Sequence, residues 1–337
     1  MTIILDAMGS DRYPEPEILA AVESAKELDI DIILVGDTGK LQDKLKQFGG
    51  DDLPISLVHA PEVVEMWDKP VESGRLKPNN SMSVGIKLLK EGKGQAFVTA
   101  GNTGGAMYNA IRTLGRIEGV QRPALSALFP TRKGKCIVLD IGANVDCRPD
   151  FLVQFAILGS IYAEVVLKAS NPRVGLLSNG EEPGKGNQLV KESYPLIENS
   201  GLNFIGNIEP KELFSGEADV VVTDGFVGNV LVKGSEAVAK LITEILKEEL
   251  MSTVFTKFGA LLAKPAFSQI KKLVDPSEVG AAPLLGVDGL VFIGHGRSNA
   301  KALNSAIKLA HQSINLNLLS VLRKGIAERI SQSQNKL

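Results

Sequence analysis

The residues of this 337-residue chain that are best suited to chemistry are glycine, asparagine and aspartate in short loops that follow apolar runs. These loops begin MGSD, GNTGGAM, ANVDCRPD, NGEEPGKGN, DGFVGN and HGRSN. Glycine lets the backbone approach a ligand, and asparagine offers an amide and tolerates positive φ. The free N–H groups of a helix that begins in such a loop attract anions. Together the loops favour a phosphate or carboxylate site, whereas any single loop is better explained as a tight turn between a strand and a helix.

Other common chemistries lack their motifs. No loop has the G-x-G-x-x-G spacing of a dinucleotide site. The GK pair at 184–185 is followed by Gly186 where a P-loop needs Ser or Thr, which argues against an NTPase. The three histidines are far apart, so zinc is not expected, and no G-x-S-x-G elbow is present. Cys147 could be a nucleophile, but a structural role is the more common one for a single cysteine at a helix start.

The elements that must position these loops alternate between strand and helix. Runs such as TIILDA, KCIVLDIG and ADVVVT are typical of strands buried on both faces. They predict an α/β fold, a mostly parallel sheet with helices on both faces (Rossmann-like α/β/α), whose loops gather at the carboxyl edge of the strands. We expect one catalytic unit of two associated lobes. Residues 1–135 with C-terminal helices at 300–330 form the first, and 136–299, with a helical protrusion at 235–273, form the second.

Composition limits the possible partners and compartment. The 37 basic and 39 acidic residues give a net charge of −2, which argues against a nucleic-acid partner. A hydrophobic content of 44% is enough for a substantial core. Two cysteines are too few for a disulfide scaffold, and the N-terminus has no signal-peptide pattern. Because the apolar stretch 151–167 carries Gln, Ser and Glu, it predicts a buried helix rather than a membrane span. A cytoplasmic location is therefore expected.

Two segments interrupt the alternation. Residues 60–80 contain three prolines and no clear period, which is typical of a functional loop or lid. Residues 251–272 carry four lysines, no acids and several large apolar side chains, and Pro265 is expected to begin a second helical piece there. This basic segment could lie on an anionic membrane, dock an acidic protein or pack in a dimer. Its predicted contact residues are Phe255, Lys257, Phe258, Leu261, Leu262, Lys264, Lys271 and Lys272.

Seven sequence blocks, in order, resemble those of the bacterial phosphate acyltransferase family (PlsX). The blocks are ILDAMGSD, FVTAGNTGGAM, LDIGANVDC, GEEPGKGNQL, DVVVTDGFVGNV, GAAPLLGV and HGRSNAKA. The resemblance extends from Ile3 to about Ile314, which is nearly the whole chain. The first block departs from the family's usual DAMGGDHAP, because Ser10 and Arg12 replace Gly and His. The stretch NNS at 79–81 replaces the usual serine-rich run.

The resemblance implies transfer of a long-chain fatty acyl group from acyl carrier protein to inorganic phosphate, which forms acyl phosphate for phospholipid synthesis. It also implies a homodimer and a fold related to isocitrate/isopropylmalate dehydrogenases and phosphotransacetylases. No cofactor or metal is expected. The resemblance favours peripheral contact with the inner face of the membrane, where a glycerol-3-phosphate acyltransferase would use the product. A phosphotransacetylase-like enzyme for coenzyme A thioesters and a non-catalytic anion-binding module are the alternatives.

Under this hypothesis phosphate is itself the nucleophile, and the site must position it and stabilise an oxyanion. Lys185 would neutralise negative charge, and His295 would protonate the departing thiolate. The amides of Asn102, Asn144 and Asn229 are candidate donors to the substrate. Asp6 and Asp224, expected at the same edge of the sheet, would orient Lys185 or an amide. The remaining predicted phosphate or acyl contacts are Gly101, Thr103, Gly104, Gly186, Asn187, Ser298 and Asn299.

Overall fold

The computed structural model describes residues 1–334, without the side chains of Lys271, Lys272, Val274, Pro276 and 330–334. The strands are β1 (Thr2–Asp6), β2 (Asp31–Gly36), β3 (Ile55–His59), β4 (Ala96–Thr99), β5 (Ala124–Thr131), β6 (Gly134–Leu139), β7 (Val174–Leu177), β8 (Phe204–Ile208), β9 (Val220–Val222), β10 (Ala281–Leu285) and β11 (Val291–Gly294). The helices are α1 (Glu15–Leu28), α2 (Thr38–Gln47), α3 (Pro70–Leu76), α4 (Ser81–Lys90), α5 (Thr103–Thr113), α6 (Pro149–Val166), α7 (Gln188–Glu198), α8 (Pro210–Ser215), α9 (Gly225–Leu250), α10 (Val254–Val274), α11 (Ala300–Asn315) and α12 (Leu318–Gln334).

All strands of the described chain join one sheet in the order β3-β2-β1-β4-β11-β10-β5-β6-β9-β7-β8. Most neighbours are parallel, but β10 is antiparallel to both β11 and β5, and β5 is antiparallel to β6. The two halves of the sheet therefore run in opposite directions. The predicted α/β class with a mostly parallel sheet is confirmed. The prediction that the loops gather at one edge of the sheet was wrong. Strands β1 and β9 run in opposite directions, so Asp6 and Asp224 follow strands that end at opposite edges.

Helices cover both faces of this sheet, and alternate strand residues supply separate cores. On β1, Ile3 and Leu5 join a core that contains residues of α1, α6 and α11. Ile4, between them, joins a second core with residues of α4 and α5. This alternation follows from the two-residue repeat of a strand and explains why the strand is apolar throughout.

Helix α6 is the apolar stretch that the sequence predicted to be buried. Within the described residues it is long and apolar enough to span a membrane by length and composition. However, 56% of it is buried inside the protein, and residues such as Phe155 and Tyr162 are fully enclosed in the larger core. The placement of α6 against β6, β9 and α12 makes it a core helix, as expected.

The strand pairing changes the predicted lobe boundaries. Strand β11 lies beside β4 in the first half of the sheet, whereas the sequence placed residues 136–299 in the second lobe. Helix α11 packs on α1 of the first half, as predicted for the C-terminal helices. Helix α12 instead packs on α6 of the second half, so the C-terminal residues connect the two halves.

Helices α9 and α10 cover residues 235–273, where the sequence predicts a helical protrusion, and this helix pair is called the protrusion below. Among the described residues of α9, only Gly225 and Gly228, at its start, are buried. Helix α10 is continuous across Pro265, so the expected helix start at that proline was wrong. A proline inside a helix leaves the carbonyl four residues earlier without its donor. On this exposed helix water can satisfy that carbonyl, so the helix tolerates the proline.

Candidate functional site

The loop after β4 presents the N-terminus of α5. Asn102 caps the helix by accepting a hydrogen bond from the Gly105 N–H at 2.9 Å, and the Gly101 N–H donates to Thr99 Oγ1 at 3.0 Å. The N–H groups of Thr103 and Gly104, in the first turn, have no acceptor within the helix. No acidic residue lies in this turn. The N-terminus of α5 therefore has free donors that suit an anion, and contact of Thr103 and Gly104 with phosphate stays a prediction.

The side-chain amide of Asn102 has a different role from the one predicted. Its Nδ2 donates, at 3.1 Å each, to the backbone carbonyls of Glu65, Met66 and Asp68. An amide nitrogen has two hydrogens, so these carbonyls occupy its donor capacity. Asn102 is consequently a residue that positions the segment 60–80, and it has no spare donor for a substrate oxyanion.

The segment 60–80 covers the α5 N-terminus and the loop after β11. A Cβ added at Gly104 would lie 2.5 Å from Pro70 Cγ, and one added at Gly296 would lie 2.5 Å from Met66 Cε. Trp67, between these contacts, has 81% of its side chain exposed. The segment therefore has the position expected of a lid, held over two glycines that leave no room for a larger residue.

The loop after β1 contains two buried carboxyl groups. Asp6 accepts hydrogen bonds from Thr99 Oγ1 at 2.6 Å and from the Met8 N–H at 3.0 Å, so it organises two adjacent loops and does not reach Lys185. Burial raises the pKa of Asp6. Glu17 of α1, which the sequence did not single out, accepts a hydrogen bond from the Ser10 N–H at 2.8 Å. Burial raises the pKa of Glu17 to about 7.

In the second half of the sheet, Asp140 organises the loop after β6. It accepts hydrogen bonds from the N–H groups of Leu125, Ala143 and Asn144 and from Asn144 Nδ2, at 2.6–3.1 Å. Burial raises the pKa of Asp140. Because Asn144 Nδ2 also donates to the Pro123 carbonyl at 2.8 Å, the predicted substrate donor Asn144 is used to hold the loop. The position of Asp140 directly after an apolar strand was the signal that could have identified it.

The start of α9 is fixed by the same loop. Asp224 caps the helix by accepting a hydrogen bond from the Val227 N–H at 2.8 Å. Its predicted role of orienting Lys185 or an amide stays a prediction. A Cβ added at Gly228 would lie 1.9 Å from the Asp140 carbonyl oxygen. Burial, together with Asp140, raises the pKa of Cys147 to about 12, which disfavours the nucleophilic thiolate.

The loop between β7 and α7 contains Lys185, Gly186 and Asn187. The Gly186 N–H donates to Asn179 Oδ1 at 3.0 Å, and Asn187 caps α7 by accepting from the Val190 N–H at 2.9 Å. The Lys185 side chain is exposed. Strands β6 and β9 separate β7 from the centre of the sheet, and the structure does not bring Lys185 to the cavity described next. Its role in binding phosphate stays a prediction.

A cavity of about 470 Å³ lies between the two halves of the sheet, below α9. Three predicted residues, Thr103, Asn229 and His295, line it together. The sequence did not identify two further lining residues, Lys233 and Glu236, although they follow Asn229 by four and seven positions and so share its helix face. His295 Nε2 lies 3.9 Å from Glu236 Oε1, and 61% of the His295 side chain is exposed.

The residues after His295 hold that loop in place. The Ser298 N–H donates to the His295 carbonyl at 2.9 Å, and the Ser298 side chain is buried. Asn299 caps α11 by accepting a hydrogen bond from the Ala302 N–H at 2.9 Å. The backbone of Ser298 therefore closes the turn that presents His295, and the Asn299 side chain starts α11. A direct contact of either residue with phosphate stays a prediction.

One group of carboxylates has the spacing of a cation site. Glu181, Glu209 and Glu212 lie close together outside the cavity. Lys211 Nζ is 3.0 Å, 3.2 Å and 3.4 Å from an oxygen of each, so an ammonium group already bridges the three carboxylates.

Comparisons with known proteins agree on family and fold. A family model described as "Fatty acid synthesis protein" matches residues 1–321. The chain is 47% identical over 329 residues to a phosphate acyltransferase of Elusimicrobium minutum, covering 97% of this chain and 96% of that protein. The EutD phosphotransacetylase of Staphylococcus aureus has a similar structure (TM-score 0.58, 18% identity, 93% of this chain and 94% of that chain). A 4-hydroxythreonine-4-phosphate dehydrogenase of Klebsiella pneumoniae is also similar in structure (TM-score 0.53, 13% identity, 93% of this chain and 97% of that chain). The two structures support the fold alone.

Proposed function

Because this chain belongs to the phosphate acyltransferase (PlsX) family and is therefore an acyltransferase, we propose that it transfers a long-chain fatty acyl group from acyl carrier protein to inorganic phosphate. The product, acyl phosphate, would enter phospholipid synthesis. The observation that carries this proposal is the junction at the cavity, where a helix N-terminus, Asn229 and His295 adjoin an apolar space. This junction provides an anion site, polar groups for a thioester and room for a hydrocarbon chain.

In the proposed reaction a phosphate oxygen attacks the thioester carbonyl carbon and forms a tetrahedral intermediate. The C–S bond then breaks, and the thiolate of the carrier's prosthetic group leaves with the electron pair. Phosphate is an anion near neutral pH, and a thiol with a pKa of about 8.5 is a good leaving group. The protein therefore needs no nucleophile of its own, and its main task is to position the reactants and stabilise charge.

The N-terminus of α5 is the proposed phosphate site. Its free Thr103 and Gly104 N–H groups and the helix dipole favour an anion, and Lys233 of the cavity wall adds positive charge. Asn229 has an exposed amide on the opposite wall and is the proposed donor to the thioester oxygen. His295 is the proposed donor of the proton to the departing thiolate, and the Glu236 carboxylate lies 3.9 Å from its Nε2.

An assay with purified protein tests this function. Palmitoyl-acyl carrier protein and inorganic phosphate are incubated with the enzyme, and both the free carrier thiol and the acyl phosphate are measured. We expect equal amounts of the two products, and none without phosphate. A strong preference for short acyl-coenzyme A would favour the phosphotransacetylase-like alternative. Absence of phosphate-dependent thiol release with either donor would leave the anion-binding module.

The protrusion carries an apolar stripe that fits a second copy of the chain. Val238, Leu241, Ile242 and Ile245 of α9 recur at helical spacing, and each is 51–59% exposed. A stripe of this kind is costly in water and is typical of helix–helix interfaces. We assign it to a homodimer, and replacement of Leu241 and Ile245 by Glu should give a monomer in analytical ultracentrifugation.

The start of α10 is the proposed membrane contact. Phe255, Phe258, Leu261 and Leu262 are 64–91% exposed, and the exposed lysines Lys257 and Lys264 lie among them. The predicted partners Lys271 and Lys272 have side chains outside the described structure. Apolar residues flanked by lysines suit an anionic bilayer surface. On this proposal the enzyme acts at the cytoplasmic face of the membrane, beside the glycerol-3-phosphate acyltransferase that would use acyl phosphate.

Vesicle sedimentation distinguishes the roles of the two helices. Replacement of both Leu261 and Leu262 by Glu should abolish binding to phosphatidylglycerol vesicles and leave the dimer intact. Unchanged vesicle binding would refute the membrane assignment. If the same variant instead raises the KM for acyl carrier protein in a vesicle-free assay, the segment docks the acidic carrier protein.

A further inference from the structure

The centre of the sheet has an uncovered apolar face. Strands β5 and β10 lie in the middle of the eleven strands, where both faces of a largely parallel sheet are normally covered. Yet Ala127 of β5 and Ala282 of β10 are only partly buried, because the cavity of about 470 Å³ lies against them. Central strands with apolar side chains facing an open space require an apolar occupant.

The lining of the cavity changes from one side to the other. On the side of β11 it contains the polar residues Thr103 and His295. On the side of β5 and α8 it contains Phe129 and Phe214, whose rings contact each other with centroids 6.2 Å apart. A volume of about 470 Å³ lies within the usual range of about 300–1,000 Å³ for small-molecule sites. The cavity thus has a polar side at β11 and an aromatic side at β5 and α8.

We propose that this cavity holds the hydrocarbon chain of the acyl donor, with the thioester between Thr103 and His295 and the terminal methyl group against Phe129 and Phe214. The assignment rests on the proposed function, because it presumes a fatty acyl substrate. Small residues on the floor, such as Ala127 and Ala282, leave space for the chain. The two phenylalanines close the end and limit acyl length.

Two variants change the cavity in opposite directions. Ala127→Leu adds three carbon atoms to the floor and excludes about as many methylenes of the substrate. Each methylene left in water costs about fourfold in kcat/KM, so the 16-carbon donor should lose roughly 60-fold. The 8-carbon donor, which does not reach the end, should change less than about twofold. Phe214→Ala, at a 38% exposed side chain, opens the end and should shift the preferred donor to longer chains.

The experiment measures kcat/KM for acyl-acyl carrier protein donors of 8 to 18 carbons, and separately the binding of palmitate by displacement of a fluorescent fatty acid. The matched control is Ala169→Leu, a partly buried alanine after α6 that does not line the cavity. It should retain the wild-type profile, and thermal melting checks that each variant folds.

The outcomes separate the two proposals. An active wild type whose chain-length profile is unchanged by both Ala127→Leu and Phe214→Ala overturns the cavity assignment and leaves the function intact. A wild type that binds palmitate but transfers no acyl group overturns the function, and loss of that binding in Ala127→Leu keeps the cavity as an apolar-chain site. If Ala127→Leu does not fold, an unchanged profile in Phe214→Ala overturns the assignment by itself.

Discussion

Replacement of Glu17 by glutamine is expected to stabilise the protein at pH 8 and to leave its stability nearly unchanged at low pH. The Glu17 side chain is buried below the loop after β1, where Oε1 accepts the Ser10 N–H at 2.8 Å. Oε2 of Glu17 and Oγ of Ser10 have no hydrogen-bond partner in the described residues. Glutamine preserves the accepting oxygen and removes the charge that burial disfavours.

The magnitude follows from the pKa of Glu17, which burial raises from 4.5 to about 7. Between these values the folded state holds a proton that the unfolded state has released, so the free energy of unfolding falls as pH rises. A shift of about 2.5 pKa units corresponds to roughly 3 kcal/mol, lost fully above pH 7. The Glu17→Gln variant avoids this loss. Its stability advantage should therefore increase by about 2 kcal/mol between pH 5 and pH 8.

Urea unfolding at pH 5, 6, 7 and 8, followed by circular dichroism, measures this difference. The matched control is Glu23→Gln, at an exposed position of the same helix, whose stability should follow the wild type at every pH. Parallel pH profiles for wild type and Glu17→Gln would refute the reasoning, since they would mean that Glu17 titrates alike in the folded and unfolded states.

Three further predictions concern the two sides of the site. Gly228→Ala should lower the free energy of unfolding, measured in urea, by about 3 kcal/mol, because its Cβ would lie 1.9 Å from the Asp140 carbonyl oxygen. The control Gly234→Ala, in the same helix with open space around it, should raise the free energy of unfolding by about 1 kcal/mol. Asn102→Ala removes a helix cap and two amide donors and should lower the free energy of unfolding by about 3 kcal/mol. Asn102→Asp keeps the cap and should lower it less, and both variants should speed proteolysis of residues 60–80. His295→Gln should lower kcat about 100-fold in the thiol-release assay with an unchanged melting temperature, since its side chain is 61% exposed; a wild-type kcat would exclude it as the acid.

Local patterns in the sequence predict the elements well. The apolar run before GNTGGAM becomes β4, and Asn102 begins α5 as its cap because a strand, a cap and a helix start depend on neighbouring residues alone. The same holds for Asp224 at α9 and Asn299 at α11. Of the predicted site, Thr103, Asn229 and His295 meet at the cavity.

Strand direction and hydrogen-bond partners are not local properties. The apolar runs of β5 and β10 do not indicate that these strands reverse the sheet, so Asp6 and Asp224 were expected at one edge. Asn144 is a polar loop residue in any sequence pattern, but its carboxylate partner Asp140 is known only from the fold. Glu17 lies in an amphipathic helix, and its burial depends on the loop after β1, which the periodicity of α1 does not include.

The position of β11 has a consequence for biosynthesis. Val291, near the end of the chain, pairs with Phe97 of β4, and β10 follows β11 in the sheet. Until the ribosome has released these late residues, β4 and β5 are unpaired edges, which attract other unpaired strands. The nascent chain must therefore wait for its last strands before the two halves join, and translation that stops before β11 should yield aggregating fragments rather than a folded first half.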